Sequence, residues 1–234
     1  LTGWLFYAVL SVATIILAWR DRRLVPLAEA ALLIGIVPLS EAWGVDAYRQ
    51  STLVATFGIA LLFGGAGIAA MLRERQPAIA WAVMALAAPV LCWFAAFSAY
   101  PLDTSSMAWG YTAFAAALPA AWLAWQQHQR SETGLIQILA SGTTALMLMI
   151  AVGHLLDHDS WSGIILAAAA LGLAAWAKVT GDGGVRRLAI LPLGGAMLWA
   201  AGSSWMFLNV LAESLAGETD IYNYLPVLSD TIKS

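Results

Sequence analysis

Charged side chains are scarce in this 234-residue chain: they make up 11% of it, while 61% is hydrophobic. A soluble domain carries roughly 25% charged residues, so this excess of apolar side chains cannot be hidden inside a soluble globule of this length. Positive charge is not in surplus either. The net charge of −3 gives no basic surface for a nucleic-acid backbone, and no nucleic-acid partner is expected. One cysteine is present, Cys92, which excludes an intrachain disulfide and reads as a small packing residue. No Walker loop, nucleophile elbow or CxxC pair occurs, and no cofactor is expected. Leu1 opens the chain without a Met and without a basic stretch before an apolar core. No signal peptide is therefore recognised, and the sequence is expected to be a piece of a longer protein.

What is abundant is apolar sequence in long runs. Runs of about 17–25 residues have the length needed to cross a hydrocarbon core as a helix. They lack the alternation of a barrel strand, and inside lipid the backbone is satisfied only by helices or closed barrels. The expected fold class is all-α, an integral membrane bundle of about eight helices. The spans are placed at about 3–19, 24–43, 52–72, 78–100, 107–125, 134–155, 161–179 and 188–212. A more polar segment, 213–234, follows and is too polar to span.

The runs repeat one device. Trp19, Met71, Trp125 and Trp176 each end an apolar run and precede a short polar or basic loop, at spacings of 52, 54 and 51 residues. The chain therefore reads as four antiparallel hairpins, at about 1–50, 51–104, 105–158 and 159–212. Nine of the eleven basic residues fall in one set of loops: Arg20, Arg22, Arg23, Arg73, Arg75, Arg130, Lys178, Arg186 and Arg187. The positive-inside rule assigns that set to the cytoplasm. The expected location is a bacterial inner membrane, with both ends of the chain facing outward and the lipid bilayer as the first partner.

Aromatic and small residues fit this frame. Trp4, Tyr7, Trp19, Trp43, Tyr48, Tyr100, Trp109, Tyr111, Trp122, Trp125, Trp161 and Trp176 lie near span ends and are expected to form interfacial belts. Small residues recur four apart: Ala60–Gly64, Gly65–Ala69, Ala113–Ala117–Ala121, Ala168–Gly172, Ala170–Ala174 and Ala196–Ala200–Ser204. Each set shares a helix face and is expected to pack tightly within the bundle. Pro38, Pro89, Pro119 and Pro192 interrupt runs and read as ordinary kinks.

Two stretches carry a family resemblance. Leu173-Ala-Ala-Trp-Ala-Lys178, followed by Arg186-Arg187-Leu188-Ala189, resembles the hairpin turn that recurs in the bacterial DUF2339 family. Tyr224-Leu225-Pro226-Val227-Leu228 resembles a second segment of that family, and the chain departs from it at Ser229-Asp230-Thr231-Ile232. The family comprises large, many-span membrane proteins of unknown function. The resemblance implies a class and no site.

Candidate chemistry is sparse. His154, Asp157 and His158 are spaced so that a continuing helix would place them on one face, where imidazole and carboxylate can hold a divalent metal such as zinc. The same stretch, ending at Ser160 before Trp161, reads as a solvated turn with Ser160 as helix cap, and that reading is preferred. Glu29 is the one carboxylate well inside an apolar run. It is expected to pair with Arg22, Arg23, Arg186 or Arg187, with a proton or substrate path through Glu29 and Glu41 as the alternative. Asn209 and Glu213 share a face of the last span, where interhelical hydrogen bonding is expected. Gly181-Asp182-Gly183-Gly184 reads as a flexible turn. The leading function is a non-enzymatic envelope scaffold or assembly component, with other membrane or envelope proteins as partners. A transporter or channel component using Glu29 is the alternative, and a membrane enzyme using the 154–159 cluster is the second.

The orientation is open to test by cysteine labelling in a Cys92→Ala background. A membrane-impermeant thiol reagent added from outside is expected to modify Asp103→Cys and to spare Gln129→Cys; the reverse pattern would invert the topology.

Overall fold

The computed structural model describes residues 2–43, 49–73, 79–99, 106–130, 134–156 and 161–215. Among these, eight long helices form in chain order: α1 (Thr2–Arg20), α2 (Val25–Trp43), α3 (Arg49–Arg73), α4 (Ile79–Ala99), α5 (Ser106–Gln129), α6 (Leu135–Leu156), α7 (Ser162–Thr180) and, after the short helix α8 (Gly183–Leu188), α9 (Ile190–Leu215). A 3-10 turn, Arg22–Leu24, joins α1 to α2. No strand occurs among the described residues. Helices α1, α3, α4, α6 and α7 are long and apolar enough to cross a membrane. Large apolar side chains such as Leu171 on α7 and Leu198 on α9 are more than 70% exposed. A surface like this is stable against hydrocarbon and unfavourable against water.

The expected spans coincide with the eight long helices to within four residues at each end. Consecutive helices pair as hairpins: α1 packs on α2, α3 on α4, α5 on α6 and α7 on α9. The segment 213–234 falls outside the described residues beyond Leu215.

One loop departs from expectation. The turn after α7 is built on specific hydrogen bonds and leads directly into the short helix α8. Gly181 ends α7 in the left-handed region at φ 69°, a conformation glycine adopts without steric cost. Asp182 then caps α8: its Oδ1 accepts from the Gly184 N–H at 2.7 Å and the Val185 N–H at 3.3 Å. The side chain is 6% exposed, and Oδ2 accepts from the Gly134 N–H at 3.3 Å. This carboxylate ties the loop between α5 and α6 to the turn between α7 and α8. Pro192 also differs from expectation. It sits in the first turn of α9, where the missing N–H is not needed, so it starts a helix instead of kinking one. Pro38, Pro89 and Pro119 do lie inside helices.

Helix α4 is the hub. It packs against α2, α3, α5 and α6 and buries Trp81, Ala82, Met84, Ala85, Ala88 and Cys92. Lipid offers no hydrophobic drive between helices, so close van der Waals approach must hold them together. The α3–α4 contact shows how the sequence allows this. A Cβ at Gly67 would lie 2.6 Å from the Trp81 carbonyl oxygen and the Ala85 nitrogen, so only glycine fits against that backbone. Gly64 faces Ala88 and Pro89 at ordinary contact distance. Of the two small-residue sets expected in α3, Ala60–Gly64 packs. Gly65 of the second set faces out, with open space around it.

The core of buried side chains runs through α1–α6. A separate small cluster of Leu173, Ala177, Val185 and Ala189 joins α7 and α8 to Ile138 and Ala145 of α6. The last hairpin is thus attached near the basic-loop end of the bundle. Its small-residue faces are largely open: Ala168, Gly172, Ala174 and Ala200 are exposed, contrary to the expected tight packing. Only Ala170 of the Ala170–Ala174 pair is buried.

Gly67→Ala is expected to lower stability by about 1–3 kcal/mol through overpacking. Gly65→Ala should be neutral or stabilise by up to about 1 kcal/mol through helix propensity. Denaturant unfolding in micelles, followed by circular dichroism, measures both.

Candidate functional site

The splayed attachment of α7 leaves a groove between α5, α6 and α7. Its cavity is about 660 Å³, within the range of roughly 300–1,000 Å³ typical of ligand sites. Helix α5 contributes Ala121, Ala124 and Trp125 to one wall. Helix α6 forms the floor, with Thr144, Ala145, Leu148 and Val152 among its lining residues. Helix α7 supplies the opposite wall through Ala168, Gly172 and Trp176. Several of these side chains, including Trp125, Leu148 and Val152, are exposed, so the groove opens sideways onto the surface that faces lipid. Trp161 stands at one end, and Trp125 with Trp176 at the other.

A polar bridge closes the basic-loop end. Trp176 Nε1 donates to Ser141 Oγ at 3.1 Å. Gln137, with its amide turned so that nitrogen donates to the Ala124 carbonyl at 3.0 Å, accepts from the same Trp176 N–H at 3.1 Å. Gln137 is 1% exposed and Ser141 3%; buried amides and hydroxyls in an apolar bundle require such partners. One bridge therefore links α5, α6 and α7. Above it Trp125 and Trp176 stack at 6.1 Å, and the His128 ring packs edge-on against Trp176 at 5.4 Å and against Trp125 at 6.0 Å. At the neighbouring corner of the same end, Arg130 Nη2 donates to the Met71 carbonyl at 3.4 Å and joins α5 to α3. The groove can hold an elongated apolar group. It presents no nucleophile, acid or base to one: its two hydroxyls are engaged, Ser141 as above and Thr144 with the Ala140 carbonyl at 2.8 Å.

The opposite end holds an aromatic cluster. Trp93 stacks on Phe97 at 5.0 Å and meets Trp109 edge-on at 5.8 Å. Trp93 Nε1 donates to Thr112 Oγ1 at 3.1 Å and to the Trp109 carbonyl at 3.4 Å. His154 closes the cluster, with its ring 5.2 Å from Phe97 and 6.0 Å from Trp93. Ser106 Oγ donates to the His154 carbonyl at 2.8 Å and lies 3.3 Å from Nδ1. His154 is thus turned toward α4 and α5. Asp157 and His158 lie outside the described residues, and no group of three or more potential metal ligands occurs among the described ones. Ser160 also lies outside them, and the residue preceding α7 is Trp161, with no side-chain cap.

Glu29 sits one turn into α2, half-buried at the margin of the stripe formed by Val25, Ala28 and Leu32. The expected ion pair is not formed: the Glu29 side chain makes no hydrogen bond or ion pair with another described residue. Arg186 and Arg187 belong to α8, which packs on α6, α7 and α9, whereas α2 packs on α1, α3 and α4. Bundle topology therefore separates those charges from Glu29. Glu41 is in the last turn of α2, with its side chain outside the described set, as are the side chains of Asn209 and Glu213 on α9.

The aromatic belt divides in two. Trp19, Tyr111, Trp125 and Trp161 are exposed, as a belt requires, whereas Trp109 is buried. Tyr7 turns inward, where its hydroxyl donates to the Ala31 carbonyl at 2.6 Å. Comparison of the chain with family models, with curated proteins and with solved structures finds no match in any of the three.

Trp176→Phe keeps the ring and deletes the shared donor. It is expected to cost about 0.6–1.7 kcal/mol, the range for interhelical hydrogen bonds in membranes. Unfolding in micelles measures this, and an unchanged midpoint would show that the bridge adds nothing.

Proposed function

We propose that the chain is a non-enzymatic membrane scaffold or assembly component, embedded in a bacterial inner membrane with its basic loops in the cytoplasm. The observation that carries this reading is the groove. The cavity between α5, α6 and α7 is lateral, apolar and open to lipid, which is not the geometry of a path that conducts a polar solute. Around α4 the interior is filled by side chains such as Trp81, Met84 and Phe63. The repeated hairpins are read as four related units that bury their faces against one another. Membership of the DUF2339 family, and other membrane or envelope proteins as partners, belong to the same proposal.

One observation favours a second reading. Glu29 is a half-buried carboxylate within an apolar helix, without a described partner, and where such a residue lies inside a membrane it is costly and often functional. A transporter would use it to carry protons.

Reconstitution separates the two. The scaffold reading expects proteoliposomes to show no proton flux above protein-free vesicles, with Glu29→Gln inserted and folded like the parent. A flux present in the parent chain and abolished by Glu29→Gln would establish transport in its place.

A further inference from the structure

We propose that the groove between α5, α6 and α7 is a lipid site, which holds an acyl chain of an anionic phospholipid with the headgroup at the basic-loop end. The site stands on its own geometry and does not depend on the scaffold reading. Three features identify the occupant.

The first is shape. From Trp161 to Trp176 the α7 wall runs fifteen residue steps, about 22 Å at the rise of an α-helix, which is most of a hydrocarbon core of roughly 30 Å. The groove therefore follows the direction of the chains around it. Its lining is uneven in side-chain size: α7 contributes the small Ala168 and Gly172, and α6 the large Leu148, Met149, Val152 and Leu156. A rigid helix approaches closely where small residues meet it, whereas a flexible chain also follows the large side chains of the α6 side.

The second feature is polarity. Both hydroxyls in the lining are satisfied within the protein. A polar solute would find no partner there and would lose its hydration; hydrocarbon loses nothing.

The third is charge. Among the described residues, Lys178 of α7 and Arg186 and Arg187 of α8 are exposed at the basic-loop end beside the groove, with His128 packed edge-on against both tryptophans at its mouth. The one carboxylate within α7, α8 and the turn between them, Asp182, is buried and engaged as a helix cap. A chain seated in the groove would thus place its headgroup against a cationic surface, and basic residues beside a membrane attract anionic lipid.

Native mass spectrometry of the full chain in detergent tests the site, with phosphatidylglycerol and phosphatidylcholine of identical acyl chains as probes. The parent chain is expected to retain one phosphatidylglycerol and to lose phosphatidylcholine at lower activation energy. Gly172→Leu fills the groove from a position with nothing within 4 Å of the added Cβ. It should keep the parent's circular dichroism spectrum and unfolding midpoint yet lose the adduct. Should Gly172→Leu misfold, Ala168→Leu serves as the second filling variant with the same expectation. The Arg186→Gln/Arg187→Gln double variant should still bind a lipid, with the preference for phosphatidylglycerol reduced. Equal retention of the two lipids by the parent, or undiminished retention by a folded filling variant, would overturn the proposal. So would a parent chain that retains no lipid and is a dimer that Gly172→Leu converts to monomer, because a second copy would then occupy the groove.

Discussion

The bundle depends on how closely α3 can approach α4. In water, burial of apolar area would draw these helices together; in hydrocarbon that force vanishes and only packing remains. Gly67 brings the α3 backbone onto the Trp81 carbonyl and the Ala85 amide at a distance that no side chain could share. With α3 seated, α4 is covered by α2, α5 and α6 on its remaining sides, and Trp81, Met84 and Cys92 become interior residues. The hairpin α5–α6 uses the same device at Gly110, where a Cβ would lie 3.0 Å from the Ala151 carbonyl oxygen.

The last hairpin is held differently. Ala168 and Gly172 of α7 line the open groove instead of packing closely on α6, and the attachment combines a compact apolar cluster at α8 with polar contacts: Trp176 to Ser141 and Gln137, and Asp182 to Gly134. Hydrogen bonds are directional and local, so they fix one end of α7 without drawing its whole length onto the bundle. The lateral groove is the consequence. Structure and proposed function meet there, because an opening of this kind at membrane depth is filled by whatever apolar group can enter it.

Much of the fold was legible in the sequence because lipid imposes simple rules. Long apolar runs had to be helices, and short loops after Arg20, Arg73, Arg130 and Thr180 had to return the chain beside itself. Which small residues pack was not legible. Gly64 and Gly65 are adjacent and belong to equally good four-residue patterns, and only the position of α4 decides that Gly64 is inside. Trp109 near a span end reads as interfacial, yet it turns inward because Trp93 on α4 needs its carbonyl and its ring. The groove was missed because its walls come from three helices distant in sequence. A signal for its polar bridge was present: Gln137 and Ser141, four apart in an apolar run, are polar groups that must find partners across a helix interface. Asp182 looked like part of a loose Gly-rich turn, although an Asp directly before two glycines and a valine is a plausible helix cap.

The seating of α3 on α4 is tested most directly by a disulfide formed in the membrane. A Cβ at Gly64 would lie 4.0 Å from that of Ala88, within the usual separation of about 3.5–4.5 Å for a disulfide. In a Cys92→Ala background, Gly64→Cys/Ala88→Cys is expected to oxidise readily, read as loss of alkylatable thiols, while Gly65→Cys/Ala88→Cys stays reduced. Oxidation of the Gly65 pair with the Gly64 pair unreacted would mean that α3 presents the other face to α4, and the packing described here would be wrong.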